Sequence, residues 1–520
     1  MLAPHIFSGR IYMPNYVIAH DLGTTGNKAT LYDRDGMLVG ASFSGYETEY
    51  AHTGWAEQNP DDWWEAVCLS TRRLLSETGI NGGEIACITF SGQMMGAVPL
   101  DRAGRPLRNA IIWADQRALE QERWIGERQA FEDVYRITGH RLSASYSLAK
   151  ILWIRDNQPD IFGAAHKFVQ AKDAIIARLT GEFVSDPSDA SSMNLYDLEA
   201  GVWSEAILEA CELPQDKLPR LQQSIDVAGV VGAEVASDVG VVAGTPVVIG
   251  GGDGACAAAG AGVIEEGAAY NYVGSSSWIA LSTPKPIYDP EYRTFTFGHV
   301  IPGMFMPTGT MQAAGASYQW TRDQLSLIEK ETAERLGISP YELINLAVQQ
   351  VKPGAEGLFF LPYLLGERSP RWNPHARGAF VGLTIRHTRA HMVRAVLEGV
   401  TMNLRVILDA FRAQGTEIEA MRVIGGGASG RVWNQIMADI YAMPVQRLAI
   451  LEEATSMGAA LVGGVGVGLY SGFEMIHRMN EVSSTVLPQP AAQALYERML
   501  PIFEALYQAL APVYDDIAAL

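Results

Sequence analysis

The chain is expected to be an α/β protein of two lobes around a central cleft, and three observations predict that class. Near the N-terminus an apolar, β-branched run is broken by the turn in HDLGTTGNK (20–28), and near the middle a similar run is broken in VGSSSW (273–278). Each pattern reads as strand, tight Gly-Ser/Thr turn, strand. Their recurrence in the two halves implies a duplication, carried by pattern more than by identity. At 520 residues the chain also exceeds what one ordinary core fills, so at least two domains are expected.

Taken in order, VIAHDLG, KATLYD and LVGASFSGY, joined by GTTG and DRDG, predict a three-strand antiparallel meander starting near Tyr16. A helix follows from Pro60 through DDWWEAVCLSTRRLLSETG, with Asn59 as its N-cap. IACITFSG (85–92) reads as a buried strand and IIWAD (111–115) as another. From 116 to 215 the pattern is largely helical, AKILWIRDN and AKDAIIARLTG being the clearest periodic pieces. GTPVVIGGGDGACAAAGAG (244–262) predicts a strand, a glycine turn and a helix of small residues. The second half repeats the opening with GAAYNYVGSSSWIALST and continues through GTMQAAGASYQWTRDQL, a helical 390–413, a strand MRVIGGG (421–427) and a helix RVWNQIMADIYAM. The expected division is an N-terminal lobe over 16–255, a C-terminal lobe over 256–485, and a helical segment 486–520 packed on the second lobe.

Composition narrows the function. Hydrophobic residues make up 48% and charged residues 19%, ordinary values for a folded globular protein. With 39 basic against 58 acidic residues the net charge is −19, which repels nucleic acid and anionic lipid and removes both as partners. An anionic substrate must therefore meet local donors or Mg²⁺. Cys68, Cys87, Cys211 and Cys256 stand far apart, without the spacing of a zinc site, and read as reduced thiols of a cytoplasmic protein. The opening MLAPHIFSGRIYMPN lacks the basic and apolar regions of a signal peptide. The low-charge stretches 241–262 and 456–470 read as buried core.

Glycine lets a backbone approach a ligand closely, and neighbouring N–H and hydroxyl donors suit phosphate oxygens. Two such loops point to a nucleotide clamped between lobes. Asp21 precedes GTTG; a carboxylate beside phosphate donors calls for a cation, so it reads as a Mg²⁺ ligand, with Thr24 and Thr25 donating to terminal phosphates and Lys28 adding charge. The competing reading is a β-turn in which Asp accepts a backbone N–H. Asp253 stands in a segment with almost no other polar side chain, as befits a base that deprotonates an alcohol; a helix N-cap is the alternative, and both can hold. IGGGASGRVWNQ (424–435) joins a strand to a helix and suits the nucleoside, while lacking the G-x-G-x-x-G of a dinucleotide fold. Gln93 and Asp115 fall at predicted strand ends on the Asp21 side and would reach sugar hydroxyls; Trp113 offers a ring face, or else fills core with Met94 and Met95.

These motifs together resemble the FGGY family of carbohydrate kinases, xylulokinases most of all. The resemblance runs from about Tyr16 towards the C-terminus through HDLGTTGNK, GWAEQNPDDWW, SGQMMGAVPLD, IGGGDG, VGSSSW, AGASYQW, LPYLLGERSP and IGGGASG, with a C-terminal signature at Gly378, Phe380, Gly382, Leu383, His391, Ala395 and Glu398. It implies two ribonuclease-H-like lobes of the actin-like ATPase superfamily, ATP with Mg²⁺, and phosphoryl transfer to a sugar, D-xylulose giving D-xylulose 5-phosphate. Asp253 matches the catalytic base, Asp21 the acidic residue near the metal, and Gly23, Thr24 and Thr25 the first phosphate loop. Gly274 and Ser275 match the second phosphate loop, Gly315 the β-phosphate region, and Gly426, Gly427 and Ala428 the adenosine loop. A homodimer is compatible with the family. Two departures stand out: Met95 replaces the His of xylulokinases, and Gly254 replaces the Asn or Gln that follows the catalytic Asp. They leave open another ketose or polyol, or a catalytically weak sugar-binding regulator. An ATPase acting on a protein partner would need a further domain, which the sequence does not display.

Overall fold

The computed structural model describes residues 14–520 and, ahead of them, only the backbone of two short strands, His5–Phe7 and Arg10–Tyr12. The reading of MLAPHIFSGRIYMPN concerns residues that mostly lie outside the described ones. β1 (Tyr16–Leu22), β2 (Gly26–Asp33) and β3 (Leu38–Gly45) form the expected meander, β1 running antiparallel to β2 from Tyr16 opposite Asp33 to Leu22 opposite Asn27. α1 (Pro60–Thr78) begins where expected, because the Asn59 side chain accepts the Asp61 N–H and Pro60 needs no partner for a missing one. β4 (Ile85–Gly92) is buried at every position and lies parallel to β1, which explains its unbroken apolar run.

The first sheet is completed by β5 (Val227–Val230), β6 (Pro246–Val248) and the two-residue β7 (Gly251–Gly252), in the order β5-β6-β4-β1-β2-β3 with β7 paired to β4. IIWAD does not join it. Only Ala110 and Ile111 are strand, paired with Glu57–Gln58 apart from the main sheet. The chain turns at Asp115 because that carboxylate accepts the N–H groups of Arg117 and Ala56.

The strand ends at the glycine pair of β7, after which α2 (Asp253–Gly260) leaves the first sheet. The second sheet contains β8 (Ala269–Val273), β9 (Ser277–Leu281), β10 (Phe295–Gly298), β11 (Phe305–Met311), β12 (Met421–Ile424), β13 (Val445–Leu448) and β14 (Val482–Val486). Its order is β10-β11-β9-β8-β12-β13-β14, with β8 antiparallel to β9 and parallel to β12. Leaving out β10, the meander and the two parallel strands beside it recur in the same order in both sheets, and the outermost antiparallel strand alone is threaded differently, β5 preceding β6 and β14 following β13, so the duplication is visible in topology.

The long helix α3 (Arg389–Ala413) and α4 (Arg431–Tyr441) back the second sheet, and α5 (Ala454–Gly466) crosses to the first, packing on β1 and β4. α2 and α5 thus pack together between the sheets. Both are made of small residues for a steric reason: a Cβ on Gly260 would lie 1.8 Å from the Ala454 carbonyl, and one on Gly458 1.8 Å from that of Cys256. The two low-charge stretches of the sequence are this crossing pair. The anticipated boundary at 255/256 falls within α2. α6 (Pro490–Ala518) lies on the second lobe through Tyr496, Phe503 and Tyr507. Among the described residues no helix is long and apolar enough to cross a membrane, and all four cysteines are buried and unbridged.

Candidate active site in the cleft between the lobes

Asp253 is placed by the strand and the helix that meet at it. β7 pairs with β4, Gly252 opposite Gly92, and the Gly252 N–H donates to Ser188 Oγ at 2.9 Å. Ser188 is held by Asp186, whose other oxygen lies 2.9 Å from Lys172 Nζ. Lys172 also meets Asp173 at 2.6 Å and Asp189 at 3.2 Å, all with side chains fully buried. The Asp253 side chain caps nothing. Gly252 occupies the N-cap position, so the carboxylate, which among the described residues is bound only to the Gly254 N–H at 2.7 Å, opens into the cleft. The protein around it disfavours the ionised form and raises its pKa to about 6, against the pull of that N–H.

Two cavities meet at this carboxylate. An inner chamber of about 240 Å³ has Met94, Met95, Phe295, Phe297 and Met306 as apolar walls and Thr24, Thr308, Thr310, Arg368 and Asp253 as polar groups. Trp113 closes it, its indole N–H donating to Thr24 Oγ1 at 2.9 Å. Met95 is a non-glycine residue at φ 65°, a sparsely populated conformation retained because both of its backbone groups are bound. Its N–H donates to Ser192 Oγ, and its carbonyl accepts from Lys150 Nζ at 2.8 Å. Lys150 bonds the carbonyls of Ile112 and Ser145 as well, and burial lowers its pKa to about 7.

The second cavity, about 460 Å³, lies between the lobes and is lined by Asp21, Gly23, Asp253, Gly425, Gly426, Glu452 and Thr455, with Tyr272 and Trp278. Burial and then the charge of Asp253 raise the Asp21 pKa to about 7, while the Ser91 hydroxyl and Lys28 oppose the rise. Two carboxylates that repel each other form an oxygen donor set of the kind a hard divalent cation takes, completed by water or phosphate. Among the described residues no group of three or more His, Cys, Asp or Glu could hold a metal ion, so the residues fit such a cation only jointly with a phosphate ligand. Lys28 is committed to Glu453 at 2.6 Å, a contact from the first lobe to the N-terminus of α5. Behind the cavity, Gly315 donates its N–H to the Gly274 carbonyl at 2.9 Å, and Ala314 and Ala316 donate to that of Ser275. A Cβ on Gly315 would come within 2.2 Å of the Gly274 oxygen, so only glycine permits this close stacking of loops.

The structure therefore brings Asp21, Gly23, Thr24, Met94, Met95, Trp113, Asp253 and Gly426 onto the two cavities. It turns Asp115 away: that side chain is fully buried, and its carboxylate is spent on Arg117 and the Ala56 N–H. Gln93 is buried too, its amide donating to Gln58 and the Gly23 carbonyl. Thr25 and Ser275 are exposed, and Gly427 and Ala428 pack at the end of β12 behind Gly426. Residue reasoning missed Trp278, Phe295, Phe297, Thr308, Thr310 and Arg368. The i, i+2 spacing in FTFG and FMPTGTM was the available signal that these side chains share strand faces. A further cavity of about 440 Å³, beside Lys352, Arg394 and Asp439, shares no residue with the site.

Residues 16–260 match the family model described as FGGY family of carbohydrate kinases, N-terminal domain, and residues 269–467 match the C-terminal domain of the same family. A gluconokinase of Bacillus licheniformis is 32% identical over 97% of this chain and 98% of its own. A xylulose kinase of Lactococcus lactis is 33% identical over 94% of this chain and 96% of its own. The crystal structure of a ligand-bound xylulose kinase from Lactobacillus acidophilus superposes with a TM-score of 0.89 at 27% identity, covering 96% of this chain and 99% of that one.

Proposed function

Because the chain belongs to the FGGY family of carbohydrate kinases, we propose that it moves the γ-phosphoryl group of ATP to a hydroxyl of an open-chain sugar, with Asp253 as the base. One observation carries the reading: Asp253 is common to the inner chamber and the interlobe cavity, as a base standing between acceptor and nucleotide must be. With the acceptor in the inner chamber, its hydroxyl proton passes to an Asp253 oxygen as the new O–P bond forms. The bond from the γ-phosphorus to the β,γ-bridging oxygen breaks, and ADP leaves. A pKa near 6 keeps the carboxylate mostly ionised at neutral pH while leaving it more basic than a solvated one.

Asp21 would hold Mg²⁺ jointly with the nucleotide, and the ion would supply charge neutralisation on the triphosphate. The first loop is divided between the cavities, Gly23 on the nucleotide side and Thr24 on the acceptor side. Ser275 would present its backbone N–H and hydroxyl to the phosphates from a loop that the Gly274 and Gly315 backbones hold in place, and Gly426, Gly427 and Ala428 would pack against the adenosine. Closure of the lobes would exclude water and limit hydrolysis of ATP.

For the acceptor, D-xylulose is the expectation from sequence, and gluconate is its rival because relatives of equal similarity carry both names. Asp253→Asn is expected to lower kcat by at least about 10³-fold while ATP affinity, read by calorimetry, stays within about threefold. Near-normal turnover by that variant would refute the assignment.

A further inference from the structure

We propose that Gln58 is a positioning residue for phosphoryl transfer: together with the indole of Trp113 it holds Thr24 from two sides, so that the Thr24 hydroxyl proton is directed at the phosphoryl group in transit. This deepens the kinase reading of the cleft and rests on it. The motif GWAEQNPDDWW, which contains Gln58, lines neither cavity at Asp253.

Thr24 is gripped at its carbonyl and at its hydroxyl. Gln58 Nε2 donates to the Thr24 carbonyl at 2.7 Å, and Trp113 Nε1 donates to Thr24 Oγ1 at 2.9 Å. Gln58 is buried, and its amide has one orientation open to it. An indole N–H only donates, so the atom that meets Trp63 Nε1 at 3.0 Å is the Gln58 oxygen, which also takes the Gln93 amide at 2.8 Å. The Gln58 nitrogen is thereby turned to Thr24 and to the Thr48 hydroxyl, the latter at 2.8 Å. The same rule fixes Thr24. Its oxygen accepts from Trp113, so its own proton points away from the indole, and among the described residues no group accepts that proton. Thr24 lines the inner chamber while Gly23 lines the interlobe cavity, so the hydroxyl stands at the boundary a phosphoryl group crosses on its way to the acceptor.

Both holding groups come from one ribbon. Gln58 pairs with Ala110 across the two short strands that lie outside the main sheet, and Trp113 follows two residues after Ile111 ends the other strand. Charged groups fasten the ribbon at its base. Glu57 takes Arg117 at 2.5 Å, the buried Arg117 and Asp115 pair at 2.7 Å, and Asp115 accepts the Ala56 N–H, with the guanidinium 3.7 Å over the Trp55 ring. Buried ion pairs add little net stability, so their use here is geometric: they fix where Gln58 and Trp113 stand. A donor aimed at the group in transit counts most in the transition state, so spoiling its aim lowers kcat and spares both KM values.

The test is steady-state kinetics in a coupled ADP-release assay on the full chain, with D-xylulose, D-gluconate and D-glucitol as acceptors. Thr24→Val is expected to lower kcat about 100-fold, and Thr24→Ser, which keeps the hydroxyl, to retain most of it. Gln58→Met should lower kcat about 10- to 100-fold, with KM for ATP and for the acceptor within about threefold. Trp113→Phe, which keeps a ring and loses the N–H, should lower kcat about 10-fold with the same unchanged KM values. Added to Thr24→Val, neither substitution should change kcat by more than about threefold, because no hydroxyl is left to direct. Thermal melting checks each variant; if Gln58→Met does not melt cooperatively, Trp113→Phe, at an exposed position, decides through the same cycle. The proposal is overturned if folded Gln58→Met turns over within about threefold of wild type, if the losses multiply in the double variants, or if KM rises while kcat is kept. In each of those cases the kinase reading survives. It fails if none of the acceptors raises ADP release by wild type above background, and this proposal then fails with it.

Discussion

Asp253 and Asp21 bring like charges into one cleft, and the consequence is a pH dependence with a definite sign. Asp253 acts only when ionised, and burial has moved its pKa upward to about 6, so activity is lost as pH falls through that value. The profile of log kcat/KM for the acceptor against pH is expected to be level near pH 8 and to drop about tenfold per unit below the bend set by Asp253; a value unchanged between pH 5 and 8 would remove Asp253 from the role. At this scale the sequence was legible where chemistry contrasts with its surroundings. A lone Asp among glycines and alanines is conspicuous. Asp115 was misread for the opposite reason, since nothing in WADQR tells that Arg117 folds back onto it through three hydrogen bonds from one side chain. Arg368 escaped notice because an arginine without a partner is recognised only once its neighbours' partners are known.

Turns and helix starts were readable because they obey local rules: Asn59 capping α1, glycine pairs closing strands, an unbroken apolar run for β4 buried on both faces. The inner chamber was not, because it joins Met94 and Met95 of the first lobe to β10 and β11 of the second, and no local pattern encodes that meeting. The contact of α2 with α5 is likewise long-range, and it sets a stability prediction. Gly458→Ala places a Cβ 1.8 Å from the Cys256 carbonyl, a backbone atom that cannot rotate away. Overpacking of this kind costs about 1–3 kcal/mol, and more where backbone must shift. Chemical denaturation should show at least that loss, with the helices forced apart; a variant as stable as wild type would mean the pair is loosely packed.

The two lobes are tied by α2 and α5 in their shared core and, nearer the cleft, by the Lys28–Glu453 pair. That ion pair is partly solvated, so its removal should change unfolding free energy by no more than about 1 kcal/mol. Its larger effect is electrostatic. Lys28→Met leaves Glu453 unpaired near Asp21, and kcat/KM for ATP is expected to drop about tenfold in steady-state kinetics; an unchanged value would show that the pair does not influence the nucleotide. Trp278 has a different consequence. Its indole, one face stacked on Tyr272 with ring centres 4.1 Å apart and its N–H bonded to the Tyr270 hydroxyl, borders both substrate cavities. Occupants on either side of one wall are not independent tenants. Whatever factor the first ligand imposes on the affinity of the second is returned unchanged in the other direction, and the emission of that one indole would register both arrivals.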